Sequence, residues 1–574
     1  MGSVLKWSRR MVACGVLAVF IATFCGICSD DSWFAGSLPS LQFVPSLLGS
    51  LHGRPGSLLL FLSLLLVTLL FGRVYCSWLC PLGILQDVVY RLRHPDSRRL
   101  KGSQIRYAPH HWGIRLGFAL LAFGAFACGS ILLLSWLDPY TLFSRFGAAV
   151  IQPVAEECSL LFGGTGDGGD WQRYSPWLWV AVLGGVMLPL LLSFWKGRLY
   201  CNTICPVGAV LGLLARLAPF SPHIEASRCG RCANCMRQCK AHAIDIKSMK
   251  VDSSRCVGCY DCLSTCSNHA MSVSFHSPFP RSRKEKKEVP RPLPDSTDST
   301  RRSFLAWGAC SLASAALPEM PAGTLSSHPA AKGTNVASAA VPPGAGSVAR
   351  FLDSCTGCGL CISVCPTHVL RPSLAVHGLT GIMKPWLDYS KAFCQFECKA
   401  CSSVCPEGAL LPLSLEQKKR TQIGLVQFNQ RSCRVWELGE ECVLCAAQCP
   451  TRAITAEMAT VPFIEAKNCR GCRRCVRVCP HGAISMVNIE GRDHPVAVVE
   501  RSRCIGCGAC AEACRFGAIQ PRQLQVPRLD PALCIGCGAC THACPATPKA
   551  MTVLPRAQHL QAEKYEEESP WEWE

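Results

Sequence analysis

The sequence predicts a membrane α-helical four-helix unit followed by α+β two-cluster bacterial ferredoxin-like modules. Three observations predict it. Four apolar runs of about twenty residues lie in the first third of the chain. A Cys-x3-Cys-Pro motif recurs at the ends of two of them, and eight four-cysteine runs follow downstream.

The apolar runs fall at about 11–28, 56–75, 113–136 and 177–195, inside a domain spanning 1–218. The first has a basic lead (Lys6, Arg9, Arg10), but no small-residue cleavage pattern follows it. The second connection holds Arg73, Arg91, Arg93, Arg98, Arg99, Lys101 and Arg106. The fourth run is followed by Lys196, Arg198 and Arg216. The first and third connections carry Asp30, Asp31, Glu156, Glu157, Asp167 and Asp170 instead. The positive-inside rule then puts both ends of the unit in the cytoplasm of a multi-pass inner-membrane protein. Residues 71–92 (FGRVYCSWLCPLGILQDVVYRL) and 195–217 (WKGRLYCNTICPVGAVLGLLARL) form an internal repeat, so the helices are expected to pair about a pseudo-twofold axis.

A two-cluster module is expected at 219–277. A basic, Pro-rich linker at 278–350 follows and contains a twin-arginine-like segment at 300–317 (TRRSFLAWGACSLASAAL). Three further modules are expected at 351–415, 416–490 and 491–555, then an acidic tail at 556–574. Clusters are assembled in the cytoplasm, so a cluster-bearing domain must be exported already folded. The internal twin-arginine segment therefore predicts a periplasmic C-terminal region.

The chain holds 42 Cys and a formal net charge of +19. Eight runs fit or nearly fit Cys-x2-Cys-x2-Cys-x3-Cys, the spacing that lets a short loop wrap one corner of a cubane while its fourth thiolate turns to a partner cluster. Pairing neighbouring runs predicts eight [4Fe–4S] sites. They are Cys229, Cys232, Cys235 with Cys266; Cys256, Cys259, Cys262 with Cys239; Cys355, Cys358, Cys361 with Cys405; and Cys394, Cys398, Cys401 with Cys365. The same rule adds Cys433, Cys442, Cys445 with Cys479; Cys469, Cys472, Cys475 with Cys449; Cys504, Cys507, Cys510 with Cys544; and Cys534, Cys537, Cys540 with Cys514. The runs at Cys394 and Cys433 are irregularly spaced. Structural zinc would bring partnering histidines, which these runs lack. Each cluster with four thiolates carries about −2, so eight supply about −16 and offset the basic excess. No nucleic-acid motif accompanies the charge, and none is expected as a partner.

Cys76 with Cys80, and Cys201 with Cys205, supply two thiols each. Together they can hold a ninth cluster, act as redox dithiols, or simply close tight helix-end turns. Cys14, Cys25, Cys28, Cys128 and Cys310 read as packing residues in apolar runs, although Cys25, Cys28 and Cys158 could form a thiol–disulfide pair. Asp138 and Arg145, at the edge of the third span, mark a candidate quinol-binding position, with interfacial anchoring as the alternative. No Ser–His–Asp set, P-loop or dinucleotide fingerprint is present, so chemistry beyond redox would belong to a partner.

CSWLCPLGILQD and CNTICPVGAVLG, each at a helix end and followed by a two-cluster module, resemble the NapH type of membrane ferredoxin, a quinol-dehydrogenase subunit of periplasmic nitrate reductase systems. Related membrane domains occur in nitrous-oxide reductase regulators and an oxidase assembly protein. From Arg301 onward the chain resembles the NapG type, most closely over GLVQFNQRSCRVWELGEECVLCAAQCP. It has six runs after the leader where that family typically has four. The resemblance implies electron transfer from the membrane quinone pool to a periplasmic reductase or cytochrome, as a quinol dehydrogenase component or a simple carrier. A metalloenzyme assembly factor and a wholly cytoplasmic polyferredoxin are the alternatives.

Overall fold

The computed structural model describes residues 2–26, 33–93, 112–162, 170–275 and 339–563. The twin-arginine segment, Cys28, Cys310, most of the expected linker and residues 564–574 lie outside them.

The helical unit is built in two halves of the same order. The first comprises α1 (Gly2–Phe24), a helical V of α2 (Trp33–Ser40) and α3 (Phe43–Leu51), α4 (Pro55–Phe71), short α5 (Tyr75–Trp78) and α6 (Pro81–Arg93). The second comprises α7 (Trp112–Ala127), a V of α8 (Leu132–Leu137) and α9 (Pro139–Phe146), α10 (Gln152–Leu161), α11 (Pro176–Lys196), short α12 (Leu199–Thr203) and α13 (Pro206–Leu214). Local chemistry sets the breaks. Pro55, Pro139 and Pro176 open helices at positions where no intrahelical N–H is lost. At the tip of the second V, Asp138 caps α9, its carboxylate accepting from Thr141 N (2.7 Å) and Thr141 Oγ1 (2.8 Å).

Three of the expected spans differ from the sequence reading. The run at 11–28 belongs to a helix that already begins at Gly2 and so contains Lys6, Arg9 and Arg10. The run at 56–75 ends as helix at Phe71, because Gly72 takes φ 79°. The run at 113–136 is broken after Ala127 by Gly129 at φ 87°. By length and composition one described helix, Pro176–Lys196, can cross a membrane by itself, while Gly56–Phe71 and Trp112–Ala127 are shorter apolar helices.

The first module pairs β1 (Pro222–Ile224) with β4 (Met271–Val273) and β2 (Ile244–Asp245) with β3 (Lys250–Val251). The second, from 339 to about 412, contains β5 (Leu370–Pro372) paired with β6 (Pro385–Leu387). Its first residues were expected to be linker, but Ala340, Val341 and Ala345 are buried in its core.

The two modules sit at opposite ends of the same helices. Arg54, before α4, donates to Cys405 O (3.0 Å) and Leu410 O (3.2 Å). Arg73, after α4, donates to Ser254 O (3.1 Å). Likewise Arg173, before α11, meets His368 (2.7 Å), and Arg198 N, after α11, donates to Lys240 O (3.0 Å). A helix of 17 residues such as α4 separates its ends by about 25 Å.

Beyond residue 412 the chain nests. β7 (Thr421–Phe428) pairs with β12 (Met551–Gln561), β8 (Ile454–Ile464) with β11 (Ile519–Leu529), and β9 (Ile484–Val487) with β10 (Val496–Val499), all antiparallel. One module is therefore inserted into another through the eleven-residue ribbon of β8 and β11. This replaces the expected sequential modules at 416–490 and 491–555. It also moves the start of the tail past 556, since β12 continues to Gln561.

Candidate iron–sulfur sites and a buried four-thiol site

The ribbon decides which cysteines meet. Ile454 pairs with Leu529 and Ile464 with Ile519, so the run before β8 faces the run after β11, and the run after β8 faces the run before β11. Cys433, Cys442 and Cys445 accordingly line one cavity with Cys544, not Cys479. Cys469, Cys472 and Cys475 line one with Cys514, and Cys504, Cys507 and Cys510 one with Cys479. Cys534, Cys537 and Cys540 are raised first by burial, and the charge of Cys449 raises each further. The sequence-based pairing fails at these four sets because it assumed that neighbouring runs are partners.

In the other four sets, cysteines of neighbouring runs lie together. Cys229, Cys232 and Cys235 share a cavity with Cys266. Burial raises Cys256 to about 12 and Cys259 to about 11, with the charge of Cys239 adding to both. Burial, with the charges of Glu407 and then Cys405 adding to it, raises Cys355 to about 12. Cys365 acts in the same way on Cys394 and Cys401.

These sets fit polynuclear clusters. Each of these four cavities is lined by four cysteine side chains, the number of thiolates that a [4Fe–4S] cluster takes. Among the described residues no three His, Cys, Asp or Glu side chains converge on a single-ion position. Backbone N–H groups face the sulfurs: Ala243 N lies 3.4 Å from Cys239 Sγ, Ala270 N 3.2 Å from Cys266 Sγ and Ala483 N 3.2 Å from Cys479 Sγ. Such donors stabilise a thiolate and tune a cluster held by it.

The sets form a series. Cys235 neighbours Cys262, and Cys361 neighbours Cys401. Cys394 N donates to Cys537 O (2.9 Å), and Cys540 neighbours Cys445. Cys433 and Cys504 share a core with Trp436, and Cys479 and Cys510 share one with Cys475 and Cys514. Trp436 was not singled out from sequence, yet it explains the irregular run. The extra residues after Cys433 form a short helix, Arg434–Glu437, that buries the indole against the Gly506 loop of the next set.

Cys76, Cys80, Cys201 and Cys205 are all buried and share one core with Cys256, Cys259 and Cys358. Their surroundings repeat at an offset of 125 residues. Gly83 N donates to Cys80 Sγ (3.4 Å), and Gly208 N to Cys205 Sγ (3.3 Å). Arg73 lies 3.8 Å from Cys76 Sγ and donates to Cys201 O (2.9 Å); Arg198 lies 3.9 Å from Cys201 Sγ and donates to Cys76 O (2.9 Å). Each arginine thus crosses to the other half. The glycines are required: a Cβ on Gly83 would stand 2.3 Å from Cys76 O, and one on Gly208 2.2 Å from Cys201 O. Tyr75 and Tyr200 repeat the pattern at the V tips, bonding Gln42 Oε1 (2.9 Å) and Leu137 O (2.8 Å).

Asp138 and Arg145 are 1% and 2% exposed. They make no ion pair with each other. Arg145 donates to Thr356 O (2.6 Å) and Gly357 O (3.0 Å), so a cysteine-run loop covers the position expected for quinol, and both residues have structural partners. Cys14, Cys128 and Cys158 are exposed and free, and Cys25 is free and half-buried.

A family profile described as "4Fe-4S binding domain" matches residues 54–99 and 177–224, spanning both Cys-x3-Cys-Pro motifs. Profiles described as "4Fe-4S dicluster domain" match 354–410, 468–518 and 503–550. The chain is 31% identical over 180 residues to the regulatory protein NosR of Pseudomonas aeruginosa, covering 31% of this chain but only 21% of that protein. It is 29% identical over 148 residues to the ferredoxin-type protein NapF of Escherichia coli, covering 25% of this chain and 82% of NapF. It is 32% identical over 154 residues to the methylamine utilization ferredoxin-type protein MauM of Methylorubrum extorquens, covering 25% of this chain and 68% of MauM.

Proposed function

Because the chain belongs to the family of ferredoxin-type iron–sulfur proteins that includes MauM, we propose that it is a membrane-embedded carrier that passes electrons between the two ends of its helical unit, from quinol to an extracytoplasmic reductase or cytochrome. The observation that carries the reading is the placement of cysteine sets at both ends of α4 and α11. An apolar belt between those ends supports it. Leu58, Leu59, Leu62 and Leu66 on α4, and Val180, Leu183, Met187 and Leu191 on α11, are exposed, as lipid-facing side chains are.

When bound, a [4Fe–4S] group supplies one-electron chemistry between its 2+ and 1+ states. The protein's part is to hold thiolates, donate N–H groups to sulfur, exclude water and keep successive sets adjacent. The four buried thiols complete this series. They share a core with members of the set at Cys256 and of the set at Cys355, and backbone amides and arginines face them from both halves. We assign them a ninth centre, with Arg73 and Arg198 as its counter-charges.

Two measurements test this. Iron and sulfide analysis should give about thirty-six iron atoms per chain, falling by about four in Cys80→Ser/Cys205→Ser. About thirty-two in both proteins would remove the ninth centre. In spheroplasts, protease should cut within 339–563 before lysis and spare 219–275. The reverse pattern, or protection of both regions, would remove the proposed orientation.

A further inference from the structure

The last cysteine set of the series combines an exposed cysteine with the densest group of exposed arginines among the sets. Among the cysteines of the eight runs, only Cys232, Cys472 and Cys507 are exposed. Cys472 belongs to the set at the tip of the β8–β11 ribbon, farthest from the helical unit. Around it Arg470, Arg473, Arg474 and Arg477 are all exposed, and none forms an ion pair among the described residues.

Cluster binding does not require these arginines. In three other sets the corresponding loops read Thr356-Gly357 and Gly359-Leu360, Ile505-Gly506 and Gly508-Ala509, and Ile535-Gly536 and Gly538-Ala539, with no charge. Each of those sets would carry the same cluster charge. The backbone does not call for arginine either: at the position where Arg473 takes φ 61°, Gly359, Gly508 and Gly538 take φ 85°, 84° and 83°, and Ala233 and Tyr260 take 63° and 58°. At the opposite end of the series Arg228 is engaged by Glu225 (3.5 Å), and of the other two arginines of that set only Arg231 is exposed.

We propose that this arginine face docks an acidic electron-carrier protein, seating its redox centre against Cys472. The partner is a small protein whose own exposed redox edge is ringed by carboxylates. Four unpaired guanidinium groups would attract such a face over distance and pair with it on contact. The inference rests on the proposed electron-transfer function, but its first readout is binding and does not need that function.

The test uses full-length protein in detergent and fluorescently labelled plastocyanin, a carrier with an acidic face, against a basic cytochrome c. Plastocyanin should bind at low salt and cytochrome c should not. Plastocyanin affinity should fall at least tenfold at about 0.2 M salt. It should fall similarly in R470Q/R474Q/R477Q, a variant required to keep full iron content, while R228Q/R231Q should retain it. Equal binding of both carriers, or unchanged plastocyanin affinity in R470Q/R474Q/R477Q, would overturn the proposal. Preference of the same arginines for phosphatidylglycerol vesicles would also overturn it and assign the face to lipid. A tenfold gain in plastocyanin affinity on removing residues 564–574 would overturn it in favour of the chain's own acidic tail. Plastocyanin that binds but is not reduced by the pre-reduced protein would support the docking face and count against the electron-transfer reading.

Discussion

The helical unit grips a cysteine-bearing module at each end, but with different chemistry. At the α6 end the charges are paired. Asp87 receives Arg9 (3.0 Å), Arg198 (2.9 Å) and Lys240 (3.2 Å), and Lys240 continues to Asp261 (2.9 Å). At the α9 end the buried Arg145 meets the carbonyls of Thr356 and Gly357 and Arg54 those of Cys405 and Leu410, while a half-buried ion pair, Arg371 with Asp170 (3.0 Å), joins the module to the residues before α11. Among the described residues neither Arg54 nor Arg145 has a carboxylate within ion-pair distance. At the first grip Asp87 balances three buried cations directly; at the second the buried Arg145 lies beside the Cys355 set, where a bound cluster would add negative charge next to it.

The largest effect should follow from breaking the paired end. Asp87→Ala leaves three buried cations without their common partner, and removal of one member of such a network costs about 3–5 kcal/mol. The variant should unfold at markedly lower temperature, or lose the 219–275 module to protease, even with every cluster present. A melting temperature within a degree of the parent would show that the network does not hold the module.

A smaller effect should come from the carbonyl end, and it should depend on iron. Arg145→Met removes hydrogen bonds to two carbonyls and should cost about 1–3 kcal/mol in the loaded protein. Once the clusters are chelated out, the unbalanced Arg145 of the parent should itself loosen the interface. Protease sensitivity near 356–368 should then rise in the parent more than in Arg145→Met, while the Asp87 end stays closed. Equal opening of both ends on iron removal would mean that the two grips do not differ in kind.

The same contrast separates what was legible in the sequence from what was not. Cysteine spacing is local, so the eight runs were readable from Cys229 to Cys544. The partnerships 229–266 and 355–405 were readable because there the runs adjacent in the chain are also the partners in space. The nesting was not, because it depends on pairing between Ile454–Ile464 and Ile519–Leu529, which are far apart in the chain. A trace of it was present. ITAEMATVPFI and IQPRQLQVPRL have equal length, share a Val-Pro at the same position and start five residues after Cys449 and Cys514. In the helical unit, the repeat was visible in the Cys-x3-Cys-Pro motifs. The two V-shaped insertions were hidden because short apolar helices differ little in composition from parts of longer spans. Asp138 drew notice as a charge in an apolar run, and its role proved to be capping the helix at the V tip.

The smallest effect concerns the seam between the docked module and the nested pair beyond it. His559 on β12 donates its backbone N–H to Gly346 O (2.8 Å), and Gln558 bridges Ser347. Its ring is buried, neither nitrogen has a partner among the described residues, and burial lowers its pKa from 6.5 to about 4. The folded seam therefore holds the ring neutral, whereas the unfolded chain takes up a proton below about 6.5. Stability is complete above that value and declines as pH falls toward 4. Between pH 7 and 5.5 the loss should be about 1 kcal/mol from this residue. Urea midpoints for the parent and His559→Leu, compared at the two pH values, isolate it from the acid sensitivity of the clusters, which both proteins share. The parent should lose more on acidification than His559→Leu. Parallel losses would place the pH dependence of this seam in other groups and leave its hydrogen bonds, not the neutral ring, as what joins the two parts.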